Sequence, residues 1–198
     1  MSATTQEILN ELVEGNAQYA SGTVVPYVEE DDKQLSASPQ FPKAVVVSCL
    51  DSRVPVERVF NQGVGDLFVA RVAGNVMNDD IVGSLEFAVL ANNVKVVLVL
   101  GHTKCGAVMG ACCNVELGKL TQLLDKIQPV VAKAKAEAAE GADFDSEEFY
   151  DNVAAQNAVH VVEELKKSSP GIAELAEKGE VLLVPAIYDL DSQKVELL

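Results

Sequence analysis

The chain has 198 residues, 48% of them hydrophobic, which suits one domain with a full core and excludes a globally disordered chain. Its 15 Lys and Arg stand against 30 Asp and Glu, a formal net charge of −15, so it lacks the clustered cations of a nucleic-acid binder. The sequence does not open with a basic region and an apolar core, and no apolar stretch approaches the roughly 20 residues that span a bilayer, so neither a signal peptide nor a membrane anchor is expected.

Thr4 and Glu7 make a capping-box pattern ahead of Ile8, Leu9, Leu12 and Val13, which predicts an amphipathic helix closing near Ser21-Gly22. Residues 24–40 carry Pro26, the acidic run Glu29 to Asp32, Ser36, Ser38 and Pro39, and read as an extended connector. Together they form an N-terminal helical arm and connector, residues 1–40, with two readings: a contact with a second subunit, or a simple surface helix. A first strand is expected over Ala44–Ser48, then one or two helical turns over Pro55–Phe60. Gly63 and Gly65 mark a turn into a second strand, Leu67–Val72, which Ala73-Gly74-Asn75 closes. Asn78 or Asp79 caps a helix from Asp80 to Ala91. A third strand, Lys95–Leu100, precedes a helix over Cys105–Cys112. Leu120–Glu140 reads as one long helix bent at Pro129, broken by Gly141 to Asp145. Ser146 begins another, running to Lys167. Ser169-Pro170 opens a short helix that Gly179 closes. Val181–Ala186 is a fourth strand, and Asp189 to Gln193 turns the chain into a last strand, Lys194–Leu197. Residues 41–198 thus read as a single-domain α/β sandwich. Its mostly parallel central sheet has about four parallel strands plus one antiparallel C-terminal edge strand, flanked by helices.

Two strand ends carry the chemistry. Ala44–Ser48 and Val96–Leu100 are short apolar runs without alternation, the pattern of strands buried on both faces. Ligands of open parallel sheets bind beyond the carboxyl ends of the strands. Cys49, Asp51 and Arg53 follow one run, and His102 and Cys105 follow the other, so all five are expected at one crevice. Two thiols and an imidazole read as a Cys2His zinc site. Three protein ligands leave one position for water or substrate, the mark of a catalytic rather than a structural ion. Two thiolates neutralise the dication, so its bound water should ionise less readily than in three-histidine sites, and activity should rise toward alkaline pH. Asp51 has two jobs open to it: accepting a hydrogen bond from zinc-bound hydroxide, or ligating zinc as a fourth ligand in a closed state. A bidentate pair with Arg53 would hold the carboxylate off the metal. Arg53, Arg58 and Arg71 all lie in the segment after Cys49, in keeping with an anion-handling site. With Cys112 and Cys113, the thiols are expected to be reduced and the protein cytoplasmic. Cys112 and Cys113 read as small buried apolar residues, and His160 as a packed or surface histidine.

At these residues the sequence resembles the β-class carbonic anhydrases: Cys49-x-Asp51-x-Arg53, Arg71-x-Ala73-Gly74-Asn75 and His102-x-x-Cys105-Gly106, with Leu12-x-x-Gly15-Asn16 and Tyr188-Asp189-Leu190 extending the match over nearly the whole chain. The resemblance implies reversible hydration of carbon dioxide to bicarbonate by zinc hydroxide, with one zinc per subunit on Cys49, His102 and Cys105 and with Asp51 and Arg53 as catalytic dyad. It places Gln40 and Gly106 on the substrate and Phe68 and Phe87 along a small apolar pocket, Phe87 where tyrosine is common. It also implies a homodimer or homotetramer with the N-terminal helix laid across the partner. Two other readings use the same residues: hydrolysis of carbonyl sulfide or carbon disulfide, and a non-catalytic zinc- or redox-sensing protein.

Overall fold

The two β-branched runs become the middle of a sheet. In the computed structural model, which describes residues 3–23 and 29–198, five strands pair: β1 (Ala44–Ser48), β2 (Leu67–Arg71), β3 (Val96–His102), β4 (Leu182–Tyr188) and β5 (Val195–Leu197). Their order is β2-β1-β3-β4-β5. The first four are parallel and β5 runs antiparallel to β4. Every residue of β1 and β3 is buried, because these central strands are covered on both faces.

The helices are α1 (Thr5–Ala20), α2 (Glu29–Ser36), α3 (Val56–Val59), α4 (Asp79–Glu86), α5 (Gly106–Cys112), α6 (Gly118–Leu124), α7 (Gln128–Glu137), α8 (Glu147–Ser168) and α9 (Pro170–Glu177). Successive strand side chains point to opposite faces. Val45, Val47, Val97 and Val99 meet α4, α8 and α9 on one side. Val46, Leu98 and Leu100 meet α1 and α3 on the other. A third apolar cluster, built from α5, α7 and α8, roofs the carboxyl ends of the strands and includes Cys49 and Cys105.

The capping box of α1 forms as expected, with Thr4 and Glu7 bonding each other's backbone. The apolar stripe of α1 packs on its own chain. Ile8, Leu9 and Leu12 are buried against the sheet. The Asn16 amide donates to the Val59 and Gln193 carbonyls, and its oxygen accepts the Val195 N–H. Gly15 permits this approach, since a Cβ there would overlap the Phe60 carbonyl.

Four expectations are corrected. The first part of the connector, residues 24–28 with Pro26, lies outside the described residues, but Glu29–Ser36 is a helix rather than an extended segment: glutamate, lysine, glutamine and leucine are good helix formers. The helix expected over Leu120–Glu140 is two, α6 and α7. Pro129 lacks an N–H and clashes with a preceding helical turn, so it sits in the first turn of α7 instead of bending a longer helix. The helix expected from Asp80 to Ala91 is α4, capped by Asn78 and relaxing after Glu86 into a π-helical turn over Phe87–Ala91. Finally, β3 and β4 each run two residues beyond the expected Leu100 and Ala186, because Gly101 pairs with Ile187 and His102 with Tyr188. His102 is therefore a strand residue. No helix among the described residues is long and apolar enough to cross a membrane.

Candidate metal centre

Cys49 follows the last residue of β1, His102 ends β3, and Cys105 immediately precedes α5; all three are buried. Their ligand atoms lie within 4.8 Å of one another, and among the described residues this is the group of His, Cys, Asp and Glu placed to hold an ion. The two sulfurs are 4.0 Å apart. Thiolates sharing a tetrahedral zinc at about 2.3 Å stand about 3.8 Å from each other, so the pair already has the required bite. The His102 ring shows which nitrogen is free. Nδ1 lies 2.8 Å from the Thr103 carbonyl, which only accepts, so Nδ1 carries the proton. Nε2 is buried with no hydrogen-bond partner, leaving a lone pair aimed among the sulfurs. An orphaned imidazole nitrogen beside two thiols is the donor set of a zinc ion.

The surroundings favour negative sulfur. The Cys105 thiol's hydrogen bond pulls the Cys49 pKa well below the ordinary thiol range against the opposing effect of burial, and the Gly74 N–H points at the Cys49 sulfur from 3.3 Å. Cys105 is pushed up, first by its bond to Cys49 and then by burial, while the Ala107 and Val108 amides at the start of α5 work the other way. Two thiols sharing one proton behave like this: the first proton leaves readily and the second is retained until a cation replaces it.

Asp51 and Arg53 form a closed pair beside the ligands. Arg53 Nε donates to Asp51 Oδ1 at 3.0 Å and Nη2 to Oδ2 at 2.7 Å, while the Arg53 backbone N–H adds a bond to Oδ1 at 2.9 Å. These bonds, led by the Arg53 side chain, hold the Asp51 carboxyl down at about 2. Asp51 Oδ2 sits 3.9 Å from His102 Nε2. Arg53 Nη2 also reaches the Lys104 carbonyl at 3.1 Å, tying the loop after β1 to the turn after β3.

Comparison with known proteins agrees with this geometry. The carbonic anhydrase family profile matches residues 44–195. Carbonic anhydrase 2 of Mycobacterium tuberculosis is 33% identical over 193 residues, covering 94% of this chain and 89% of that one. The chain belongs to the β-class carbonic anhydrase family. Among solved structures, the β-carbonic anhydrase CafA of Aspergillus fumigatus superposes with a TM-score of 0.75 at 28% identity, over 96% of this chain and 90% of that one. One of the tetrameric β-carbonic anhydrases of Sordaria macrospora shares the fold with a TM-score of 0.73 at 20% identity, over 96% of each chain. β-Carbonic anhydrases are zinc enzymes, and the Cys49, His102 and Cys105 cluster is where this member would hold its ion.

The other expected β-class residues lie further out. Phe68 and Phe87 come together with ring centroids 6.0 Å apart. They line a groove of about 700 Å³ along β2, and Phe87 is 57% exposed. Arg71 lies in the same groove and also donates to the Cys49 and Asp51 carbonyls, which joins the groove to the metal loop. Gly106 opens α5, exposed, with open space where a Cβ would point. Gln40 is exposed and precedes the amino end of β1, whereas Cys49 follows its carboxyl end. Five strand residues at about 3.3 Å each put roughly 16 Å between them, so Gln40 does not reach the centre of its own chain. Cys112 is buried as expected, but Cys113 is exposed, its sulfur 3.4 Å from the Tyr150 hydroxyl, because it lies just beyond the end of α5. His160 is half-buried on α8. Two α8 residues without a local sequence signal also support the site: Asn157 donates to the Gly74 carbonyl at 2.9 Å, and Asp151 accepts the Lys104 N–H at 2.7 Å.

Proposed function

We propose that this protein interconverts carbon dioxide and bicarbonate, with one zinc per subunit held by Cys49, His102 and Cys105. The observation that carries the reading is the orphaned His102 Nε2 beside two thiols 4.0 Å apart, next to a carboxylate gripped on both oxygens by arginine. Zinc bound there supplies a Lewis acid with one position left to acidify water. Asp51 is the permanent acceptor of the pair. Held down at about 2, it stays ionised at any working pH and takes the nucleophile's hydrogen bond, which turns the attacking lone pair toward carbon. Arg53 fixes its orientation and keeps the carboxylate off the metal, which favours the open arrangement. The apolar walls at Phe68 and Phe87 suit a substrate with no charge or net dipole, and Arg53 and Arg71 suit the anionic product.

The relatives bear the carbonic anhydrase name, which favours carbon dioxide over carbonyl sulfide or carbon disulfide, and the assembled Asp51–Arg53 pair favours an enzyme over a zinc- or redox-sensing protein. A homodimer or homotetramer belongs to the same reading. An arm contact is one route. The free edge of β2, with exposed Phe87 beside Phe68, supports a second copy better, since the apolar stripe of α1 is already engaged. Gln40 then acts on a neighbouring copy's centre. Four unpaired thiols suit the reducing cytoplasm. Stopped-flow hydration assays on zinc-loaded and chelator-stripped protein test the activity: saturable turnover should appear with zinc and vanish without it. Folded, zinc-replete protein without turnover rules out the reading.

A further inference from the structure

Two residues, Thr103 and Lys104, separate the ligands His102 and Cys105. Lys104 takes a left-handed backbone, φ +56°, which a residue with a long side chain adopts only when its surroundings hold it there. Each polar part of Lys104 has a partner. Its N–H donates to Asp151 Oδ1 at 2.7 Å, its carbonyl accepts from Arg53 Nη2 at 3.1 Å, and its ammonium pairs with Asp191 at 2.7 Å. The ammonium pair is exposed at its Asp191 end and contributes little. The Asp151 bond differs: its carboxylate is only partly exposed and stands on α8, a helix of 22 residues packed along β3 and β4. This bond runs from a rigid scaffold to the N–H of the residue whose φ and ψ set both the spacing of two ligands and the direction of the carbonyl that Arg53 uses.

We propose that Asp151 is a positioning residue for the metal centre: through the Lys104 amide it fixes the turn that spaces His102 and Cys105, and through the Lys104 carbonyl it steadies Arg53 against Asp51. Asp151 touches neither metal nor substrate. The proposal rests on the zinc reading above, but only one of its measurements needs turnover.

The test compares Asp151→Ala, Asp151→Asn and Asp191→Asn with the wild-type holoenzyme. Removing a residue that orients metal ligands typically lowers metal affinity or activity by about 10- to 100-fold. D151A should release zinc to a chelator about ten-fold faster and lower kcat about as much, with KM for bicarbonate nearly unchanged and thermal stability retained. D151N keeps an acceptor oxygen and should restore both. D191N cuts only the outer ion pair and should match wild type. Cobalt-substituted D151A should show shifted thiolate charge-transfer bands, while D191N superposes on wild type. Wild-type zinc release in D151A, or a D151N as defective as D151A, overturns the proposal. If D151A does not fold, Asp151→Glu is read instead: faster zinc release supports the proposal, and an unchanged rate overturns it. A wild type that binds zinc without turnover sinks the proposed function yet leaves the release comparison decisive for Asp151. A wild type that takes up no zinc overturns both.

Discussion

The loop after β1 and the turn after β3 face each other across 4.0 Å of sulfur-to-sulfur distance, yet they are held in different ways. The β3 side is closed. His102 and Cys105 are buried, His102 is still paired with Tyr188 of β4, and the intervening peptide is tied to α8. The β1 side opens outward after Cys49. Asp51 and Arg53 are partly exposed and hold each other, with Arg71 bracing the loop through the Cys49 and Asp51 carbonyls. A metal needs ligands that do not move, while a substrate needs groups it can reach. Changes on the β3 side should therefore appear first as lost metal, and changes beyond Cys49 on the β1 side as lost rate in a metal-replete protein.

The severest way to break this contrast is at the ligands. His102→Ala or Cys105→Ala should lower zinc below one per subunit and activity by at least about 10³-fold, since the Lewis acid is worth several kcal/mol of barrier. Metal analysis of the dialysed protein beside the hydration assay checks this. A Cys105→Ala variant that is zinc-free and fully active contradicts the division.

Asp51→Ala should do the reverse: full zinc with kcat reduced by about 10²- to 10³-fold, the usual worth of a group that handles a proton in the transition state. Arg53→Ala should follow it, less severely, because Asp51 remains but loses its aim. Loss of zinc from Asp51→Ala would mean that the carboxylate holds metal rather than substrate.

The ligands were legible because chemistry and pattern coincide there. Each β-branched run ends on metal-capable residues, and a parallel sheet delivers such ends to one place. What surrounds them was not legible. That His102 remains in the strand depends on pairing with Tyr188, far along the chain. Asp151 and Asn157 lie 47 and 83 residues from the backbone groups they bond, and an acid or an amide on a helix carries no mark of such a partner. The split of the Leu120–Glu140 segment is a different case: Pro129 was visible, and its preference for the first turn over a bend was the rule to apply.

The contrast is sharpened by pH. Without metal, the Cys49–Cys105 hydrogen bond draws the Cys49 thiol well below its ordinary value and pushes Cys105 up, so the pair keeps one shared proton near pH 7 and zinc binding expels it. Zinc affinity should then rise about ten-fold per pH unit between pH 6 and 8, measured by competition with a chelator of known protonation. A flat profile would mean that both thiols are ionised before metal arrives. Asp51, ionised down to about 2, contributes nothing to that slope. Turnover should likewise climb from neutral toward pH 9, and a decline there counts against a zinc shell with two thiolates.

The smallest expected effects come from two glycines flanking the β3 turn. At Gly101 a Cβ would meet the Ala154 carbonyl at 3.1 Å and Ile187 Cδ1 at 3.2 Å, so Gly101→Ala forces α8 away from β3. Overpacking of this kind costs about 1–3 kcal/mol. Because α8 also carries Asp151, part of that loss should appear as faster zinc release. At Gly106 a Cβ would point into open space at the start of α5, so Gly106→Ala should leave stability unchanged or raise it by about 0.5 kcal/mol, with zinc retained. Denaturant unfolding of the two holoenzymes, with zinc release followed in parallel, separates the outcomes. Equal losses at both positions would show that the turn tolerates no side chain anywhere. A loss confined to Gly101 places the rigidity where β3 meets α8, and any rise in KM for bicarbonate in Gly106→Ala then reports substrate approaching the exposed backbone rather than a weakened fold.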